Sequence, residues 1–196
     1  MEARATAPDA SPPSPVPGPG PRRALIVGAG LAGLAAATSL SRLGWSIRII
    51  DSRSADVPRP GAGLLLTSNG FRALAELVPA PEILNCAYRV SKLRFQDSTG
   101  AALFDVDCQR AGWSPVVSAR HSEIWQRLMD AAAVRVEYGM TVDDVRPGLF
   151  PAVVFSDGSH DTFDLVIGAD GVHSKVRQLL FGATAATPIG DYRGFR

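Results

Sequence analysis

Gly28-Ala29-Gly30-Leu31-Ala32-Gly33 sets three glycines at the spacing GxGxxG, and Asp51 follows about 20 residues later. Gly28 permits a tight turn, Gly30 lets a backbone approach a pyrophosphate closely, and Gly33 lets a helix pack against a strand. Leu31 and Ala32 then open a helix whose first N–H groups and positive dipole end favour phosphate. A carboxylate at the position of Asp51 can accept hydrogen bonds from both hydroxyls of a ribose, each charge-assisted bond worth roughly 1.5–3 kcal/mol. The chemistry implied is dinucleotide binding. NAD and FAD share the pyrophosphate and the adenosine, so the loop alone leaves the two open.

The flanking pattern supplies the elements this chemistry needs. An apolar run predicts a buried strand over 24–27. Leu31, Leu34, Leu40 and Leu43 fall on one side of a helix over 31–43, which Gly44 stops. A second strand is expected over 46–50, and strand, helix and strand form a right-handed unit with parallel strands. Further along, Thr67 or Ser68 caps a helix running toward Leu77, before Pro79 and Pro81 break the pattern. Strands over 92–96 and 101–105 flank Asp97-Ser98-Thr99-Gly100 as a hairpin. A helix is expected over 121–133, then strands over 134–138 and 141–146. Strands over 152–155 and 160–163 flank Asp157-Gly158 as a second hairpin, followed by a strand over 165–167 and a helix over 174–180. The fold class is α/β, with a central parallel sheet and an added antiparallel hairpin layer.

The segment Asp164-Leu165-Val166-Ile167-Gly168-Ala169-Asp170-Gly171-Val172-His173-Ser174-Lys175-Val176-Arg177 resembles the second fingerprint of the para-hydroxybenzoate hydroxylase-like flavoprotein monooxygenases. Gly171 can take a positive φ, and the helix after it presents another N-terminus that Asp170 can anchor. The resemblance extends from Arg23 to about Phe195 and implies a Rossmann-like FAD-binding fold. It implies FAD as the cofactor, NADH or NADPH as the reductant, and transfer of one oxygen atom from dioxygen to an aromatic or similarly electron-rich small molecule. Asp170 and Gly171 would lie near the FAD pyrophosphate and the passage of the nicotinamide, with Arg177 a cation close by.

Two intermediate segments agree with the family. Arg59-Pro60-Gly61-Ala62-Gly63-Leu64-Leu65-Leu66-Thr67-Ser68-Asn69-Gly70 resembles its stretch of glycine, apolar strand, cap and helix, which makes Arg59 a candidate cofactor contact. Arg53 is a second candidate, with a solvated loop charge as the alternative. Ser118-Ala119-Arg120 before an apolar helix resembles the family's arginine at the ribityl and pyrophosphate region. The family's leucines three and seven residues after that arginine correspond here to Ile124 and Leu128, at four and eight. Asp51 stands where many relatives carry glutamate.

Residues 1–22 hold seven of the chain's 15 prolines and little that is apolar, so a disordered, partly polyproline tail is expected. The FAD-binding domain is expected over 23–182 and the start of a substrate-binding sheet over 183–196. The family's third fingerprint, a Gly-Asp before a helix, is not found in full after Gly182, where Gly190-Asp191 is followed only by Tyr192-Arg193-Gly194-Phe195-Arg196. The chain is therefore expected to be the FAD-binding portion of such an enzyme, binding FAD weakly unless a complementing chain supplies the remainder. The alternative is a non-catalytic FAD-binding fragment or one half of a split flavoprotein.

Composition narrows the classes further. With 20 basic and 19 acidic residues the formal charge is +1, which gives no reason to expect nucleic acid or an anionic membrane as partner. No apolar run approaches the ~18 residues of a membrane span, and the cytosol is the simplest compartment. Cys86 and Cys108 lack metal spacing and any CxxC pairing, and His121, His160 and His173 likewise lack ligand spacing. Trp45, Trp113 and Trp125 are expected to pack rather than to stack on a flavin. Tyr88 and Lys92 satisfy the Tyr-x-x-x-Lys of short-chain dehydrogenases, but they lead into a predicted strand rather than along a helix.

Overall fold

A computed structural model describes residues 20–56 and 63–182 of the chain. Arg59, most of the proline-rich tail and the expected start of a substrate sheet lie outside the described residues. The first βαβ unit is β1 (Arg23–Val27), α1 (Leu31–Arg42) and β2 (Ser46–Asp51). It is followed by β3 (Gly63–Leu66), α2 (Ser68–Ala75), α3 (Ala80–Asn85), β4 (Ala87–Arg89), and the pair β5 (Lys92–Gln96) and β6 (Ala102–Asp107). Then come β7 (Val117–Arg120), α4 (His121–Ala132), β8 (Val136–Tyr138), β9 (Val142–Arg146), β10 (Ala152–Phe155), β11 (His160–Thr162), β12 (Leu165–Gly168) and α5 (Lys175–Phe181).

The central sheet is parallel, in the order β12-β1-β2-β8. Ile26 lies between Ile167 on one side and Ile49 on the other. The unbroken apolar run of β1 follows from its having both faces covered. Ile26 and Ile49 enter one core with Leu34, Ile124 and Leu128 from α1 and α4. Leu25, Val27 and Ile50 enter another, with Val153, Phe155 and Phe163 from the antiparallel layer β11-β10-β9.

The face of α1 that is buried consists of Gly33, Leu34, Ala37 and Thr38, and the small residues among them let α4 pack close. The leucine stripe expected there is only partly used: the helix ends at Arg42, and Leu43 is its exposed cap. Pro79 and Pro81 do not simply break a helix. Pro79 is the N-cap of α3 and Pro81 sits in its first turn, where a missing N–H costs no intrahelical bond. A further antiparallel sheet, β3-β7-β4, joins Gly63 to Arg120 and Ala87 to Ala119. Both expected hairpins form. Their turns close on Asp97 and Asp157, whose carboxylates accept the backbone N–H groups of Thr99 and Ser159.

Candidate dinucleotide site

The glycine loop lies between the carboxyl end of β1 and α1, the crevice position at which open α/β sheets bind ligands. Gly28 has φ +105°, and a side chain there would collide with the backbone of Ala169 and Asp170. A side chain at Gly33 would collide with the carbonyl of Gly28. Gly30 is different: nothing stands within 4 Å of the position its Cβ would take. Two glycines thus let the protein close on itself, and the third keeps a surface bare. No side chain caps α1, so the N–H groups of Leu31, Ala32 and Gly33 have no acceptor within the helix and none from a capping side chain.

A cleft of ≈ 480 Å³ opens here, bounded by Gly28, Gly30, Asp51, Arg53, Asp170 and Gly171. Met140, Thr141, His173 and Lys175 complete its rim. Asp51, at the end of β2, is 4% exposed. Its Oδ2 accepts the N–H of Ala29 at 2.9 Å and its Oδ1 the N–H of Arg53 at 2.9 Å. The Arg53 guanidinium donates to both oxygens, Nε to Oδ1 at 3.0 Å and Nη2 to Oδ2 at 2.8 Å. Burial by itself would raise the Asp51 carboxyl, but these hydrogen bonds and the Arg53 charge outweigh it and hold the group at about 2. Asp51 is therefore a fixed anion.

Asp170 organises the opposite wall. Its Oδ1 accepts the hydroxyl of Ser174 at 2.5 Å, and its Oδ2 the N–H groups of Lys175 at 2.6 Å and Val176 at 3.1 Å. Ser174 in turn accepts the N–H of Arg177 at 3.0 Å, and the Arg177 guanidinium donates to the carbonyl of Val172. The carboxylate anchors the loop, as expected, with Gly171 at φ +83° making the turn.

The structure brings together Gly28, Gly30, Asp51, Arg53, Asp170 and Gly171 around one cleft, with Leu31, Ala32 and Gly33 opening the adjoining helix. Arg120 lines another, of ≈ 640 Å³, with Gly63, Tyr88, Glu123 and Arg127. The buried residues of α4 are Ile124, Leu128 and Ala132. Counting three and seven residues back from Ile124 and Leu128 reaches His121, the first residue of the helix, not Arg120. That offset was visible in the spacing. Sequence reasoning also missed that Trp125 does more than pack: its indole N–H donates to the carbonyl of Ala29, inside the glycine loop, at 2.7 Å.

Among the described residues no helix is long and apolar enough to cross a membrane. No group of three or more His, Cys, Asp or Glu there could hold a metal ion.

Comparison with known proteins agrees with this geometry. The family described as FAD binding domain matches residues 22–188. The 2-heptyl-3-hydroxy-4(1H)-quinolone synthase of Mycobacteroides abscessus is 34% identical over 160 residues, covering 79% of this chain and 41% of that protein. The 3-hydroxybenzoate 6-hydroxylase of Klebsiella oxytoca is 31% identical over 170 residues, covering 82% of this chain and 43% of its own. The structure of 2-methyl-3-hydroxypyridine-5-carboxylic acid oxygenase superposes with a TM-score of 0.72 at 27% identity, over 82% of this chain and 42% of that one. The chain thus spans about two fifths of the length of these relatives. With its match over 22–188, the chain belongs to the FAD-binding domain family of the flavoprotein monooxygenases.

Proposed function

We propose that this chain is the FAD-binding portion of an NADH- or NADPH-dependent monooxygenase that works in the cytosol on an aromatic or similarly electron-rich small molecule. The observation that carries the reading is the division of labour among the three glycines. Gly28 and Gly33 are packed against backbone, whereas Gly30 leaves open space beside an uncapped helix N-terminus. The N–H groups of Leu31, Ala32 and Gly33 hold the pyrophosphate, and the ionised Asp51 accepts the ribose hydroxyls. The loop at Asp170 and Gly171 borders the same cleft. Arg59 and Arg120 are assigned to the remainder of the cofactor. When bound, FAD supplies reduction by the nicotinamide and the activation of dioxygen; the protein binds it, orients it and excludes water. The substrate class rests on relatives named as hydroxylases and oxygenases of aromatic compounds.

The test is an absorbance spectrum of the purified chain after incubation with FAD and desalting, followed by NADH or NADPH in air. A retained flavin spectrum bleached by a nicotinamide supports a redox-competent site in this chain alone. Retained flavin that neither nicotinamide bleaches supports FAD binding without turnover. Absence of any FAD binding, even at equilibrium without desalting, overturns the reading.

One observation favours a second reading, in which the chain binds FAD but needs further polypeptide for turnover. The β5–β6 hairpin places Leu93 opposite Val106 and Phe95 opposite Phe104 on one face, and Lys92, Arg94, Asp105 and Asp107 on the other. Phe95 and Phe104 are stacked, 4.4 Å between ring centroids, yet 43% and 55% exposed. A strand pair patterned for one buried face, with the two phenylalanines of that face exposed, suits the packing of a substrate-binding sheet. The relatives carry well over half their length outside the matched region, and in this reading the covering segment is sought there.

A further inference from the structure

The carboxylate of Asp51 offers about four acceptor positions, two on each oxygen. All are taken. Backbone N–H groups of Ala29 and Arg53 occupy one position on each oxygen, and the Arg53 side chain occupies the other two, Nε on Oδ1 and Nη2 on Oδ2. A guanidinium edge presents two parallel N–H donors to a carboxylate, and the two hydroxyls of a ribose present two O–H donors to the same pair of oxygens. Both cannot be seated at once.

The two kinds of donor differ in how easily they leave. The backbone of the segment is pinned, because Gly139 donates to the carbonyl of Arg53 at 2.9 Å and Met140 to that of Asp51 at 3.2 Å. The N–H groups of Ala29 and Arg53 therefore stay. The Arg53 side chain is 46% exposed and has solvent to move into. Resting on the dinucleotide reading above, we propose that Arg53 is an intramolecular stand-in for the ribose diol. Its guanidinium occupies the diol position of Asp51 in the ligand-free chain and is exchanged for the two hydroxyls when the dinucleotide binds.

Three consequences follow. The carboxylate is kept ionised and oriented while the cleft is empty of ligand, which burial alone would oppose. Affinity for the diol is reduced, because each hydroxyl replaces an existing charged bond rather than water. The displaced guanidinium becomes a free cation on the rim of the same cleft, whose lining also includes His173 and Lys175. Arg53 thus sets how much the site gains from the diol as distinct from the phosphates.

The experiment compares ADP with 2′,3′-dideoxy-ADP, by calorimetry on the full chain and on Arg53→Met and Arg53→Lys. Taking the ratio of the two affinities cancels any effect of Arg53 on the phosphates. In the wild type the diol preference is expected to be small; in Arg53→Met it should rise by about tenfold, the factor that corresponds to one hydrogen bond of about 1.4 kcal/mol. Arg53→Lys keeps the charge but cannot bridge both oxygens, and it should show a similar rise. Equal diol preferences in the three chains, with ADP bound by all, overturn the exchange and leave the dinucleotide reading standing. If none of them binds ADP, the dinucleotide reading falls and takes the exchange with it. A ligand-free check is the ¹³C titration of the Asp51 carboxyl. Its midpoint, held at about 2 by the fork together with the backbone N–H groups of Arg53 and Ala29, should move upward in Arg53→Met, and an unmoved midpoint shows that the pair does not form in solution.

Discussion

The indole N–H of Trp125 donates to the carbonyl oxygen of Ala29 at 2.7 Å, tying α4 to the glycine loop across 96 residues of sequence. Ala29 also donates its own N–H to Asp51. One fully buried residue, through the two peptide groups on either side of it, thus links helix, loop and ribose-side carboxylate. Trp125→Phe keeps an aromatic ring against the core and deletes the donor. Leaving a buried acceptor unsatisfied costs about 1–3 kcal/mol, which a urea titration measures directly. FAD affinity should weaken as well, because the loop loses its tether. A change below about 0.5 kcal/mol would mean that the carbonyl finds another donor without cost.

The glycines separate fold from ligand. Gly30 has an extended backbone, with φ −79° and ψ −173°, that any residue can adopt, and its Cβ position is open. Gly30→Ala should leave the unfolding midpoint unchanged while lowering FAD affinity by about tenfold or more, since the methyl stands where a phosphate must approach. Gly33→Ala should do the reverse of leaving the fold intact. Its methyl meets the Gly28 carbonyl and lies 3.3 Å from Ile26 Cγ2, an overpacking that costs about 1–3 kcal/mol or more. Equal thermal shifts in the two variants would refute this division.

The central sheet was legible because its causes are local. Four apolar residues ending in glycine, a glycine loop opening a helix, and a second run ending in Asp51 each carry their own pattern. The sheet β3-β7-β4 was not read as a sheet. Val117-Ser118-Ala119-Arg120 alternates apolar and polar over only four residues and holds a single β-branched side chain, and its partners, at Gly63 and Ala87, come from more than 30 residues away. Proline at the start of α3 was read as a break, because the same residue that stops a helix also suits its first turn. The occupation of Asp51 by Arg53 depends on a side-chain rotamer. No spacing rule encodes that.

Asp51 also has a pH signature. Its carboxyl is held at about 2, below its ordinary 3.8. A carboxyl depressed in the folded state contributes stability that is present above its unfolded value and is lost as pH falls through the folded value. The window is therefore from about pH 4 down to about pH 2, and the contribution at neutral pH is about 2 kcal/mol. Asp161, Asp105, Asp97 and Asp157 are depressed too and share the acid limb, so the comparison must be by difference. The stability gap between wild type and Asp51→Asn should be constant above pH 5 and close as pH approaches 2. A gap independent of pH would show that the carboxylate charge contributes nothing.

Asp170 is used by its own loop, which sets a different expectation from that for Asp51. Its carboxylate accepts one hydroxyl and two backbone N–H groups at the start of α5. Asp170→Ala should destabilise the loop and helix by about 1–2 kcal/mol, the usual worth of a cap. Ser174→Ala should cost less. The double variant should cost less than the sum, because the Ser174 hydroxyl is itself a partner of Asp170. Faster amide exchange confined to residues 171–178 would locate the effect. Strict additivity would mean that the two residues act independently.

The stacked pair Phe95 and Phe104 supplies a test of what the hairpin is for. Register puts both rings on the face with Leu93 and Val106, while Arg94 and Lys92 pair with Asp105 on the opposite face at 2.8 and 2.6 Å. Ion pairs exposed to water add little stability, and an isolated two-stranded hairpin is marginal. An apolar face left open on such a hairpin should therefore drive self-association of the chain. Phe95→Thr with Phe104→Thr retains strand propensity and removes the apolar surface. In sedimentation at rising concentration, the wild type should associate and bind a hydrophobic dye, and the double variant should do both less. FAD affinity should be unchanged, since the hairpin borders neither Gly30 nor Asp51. A wild-type chain that stays monomeric and binds no dye at high concentration would show that this face needs no cover.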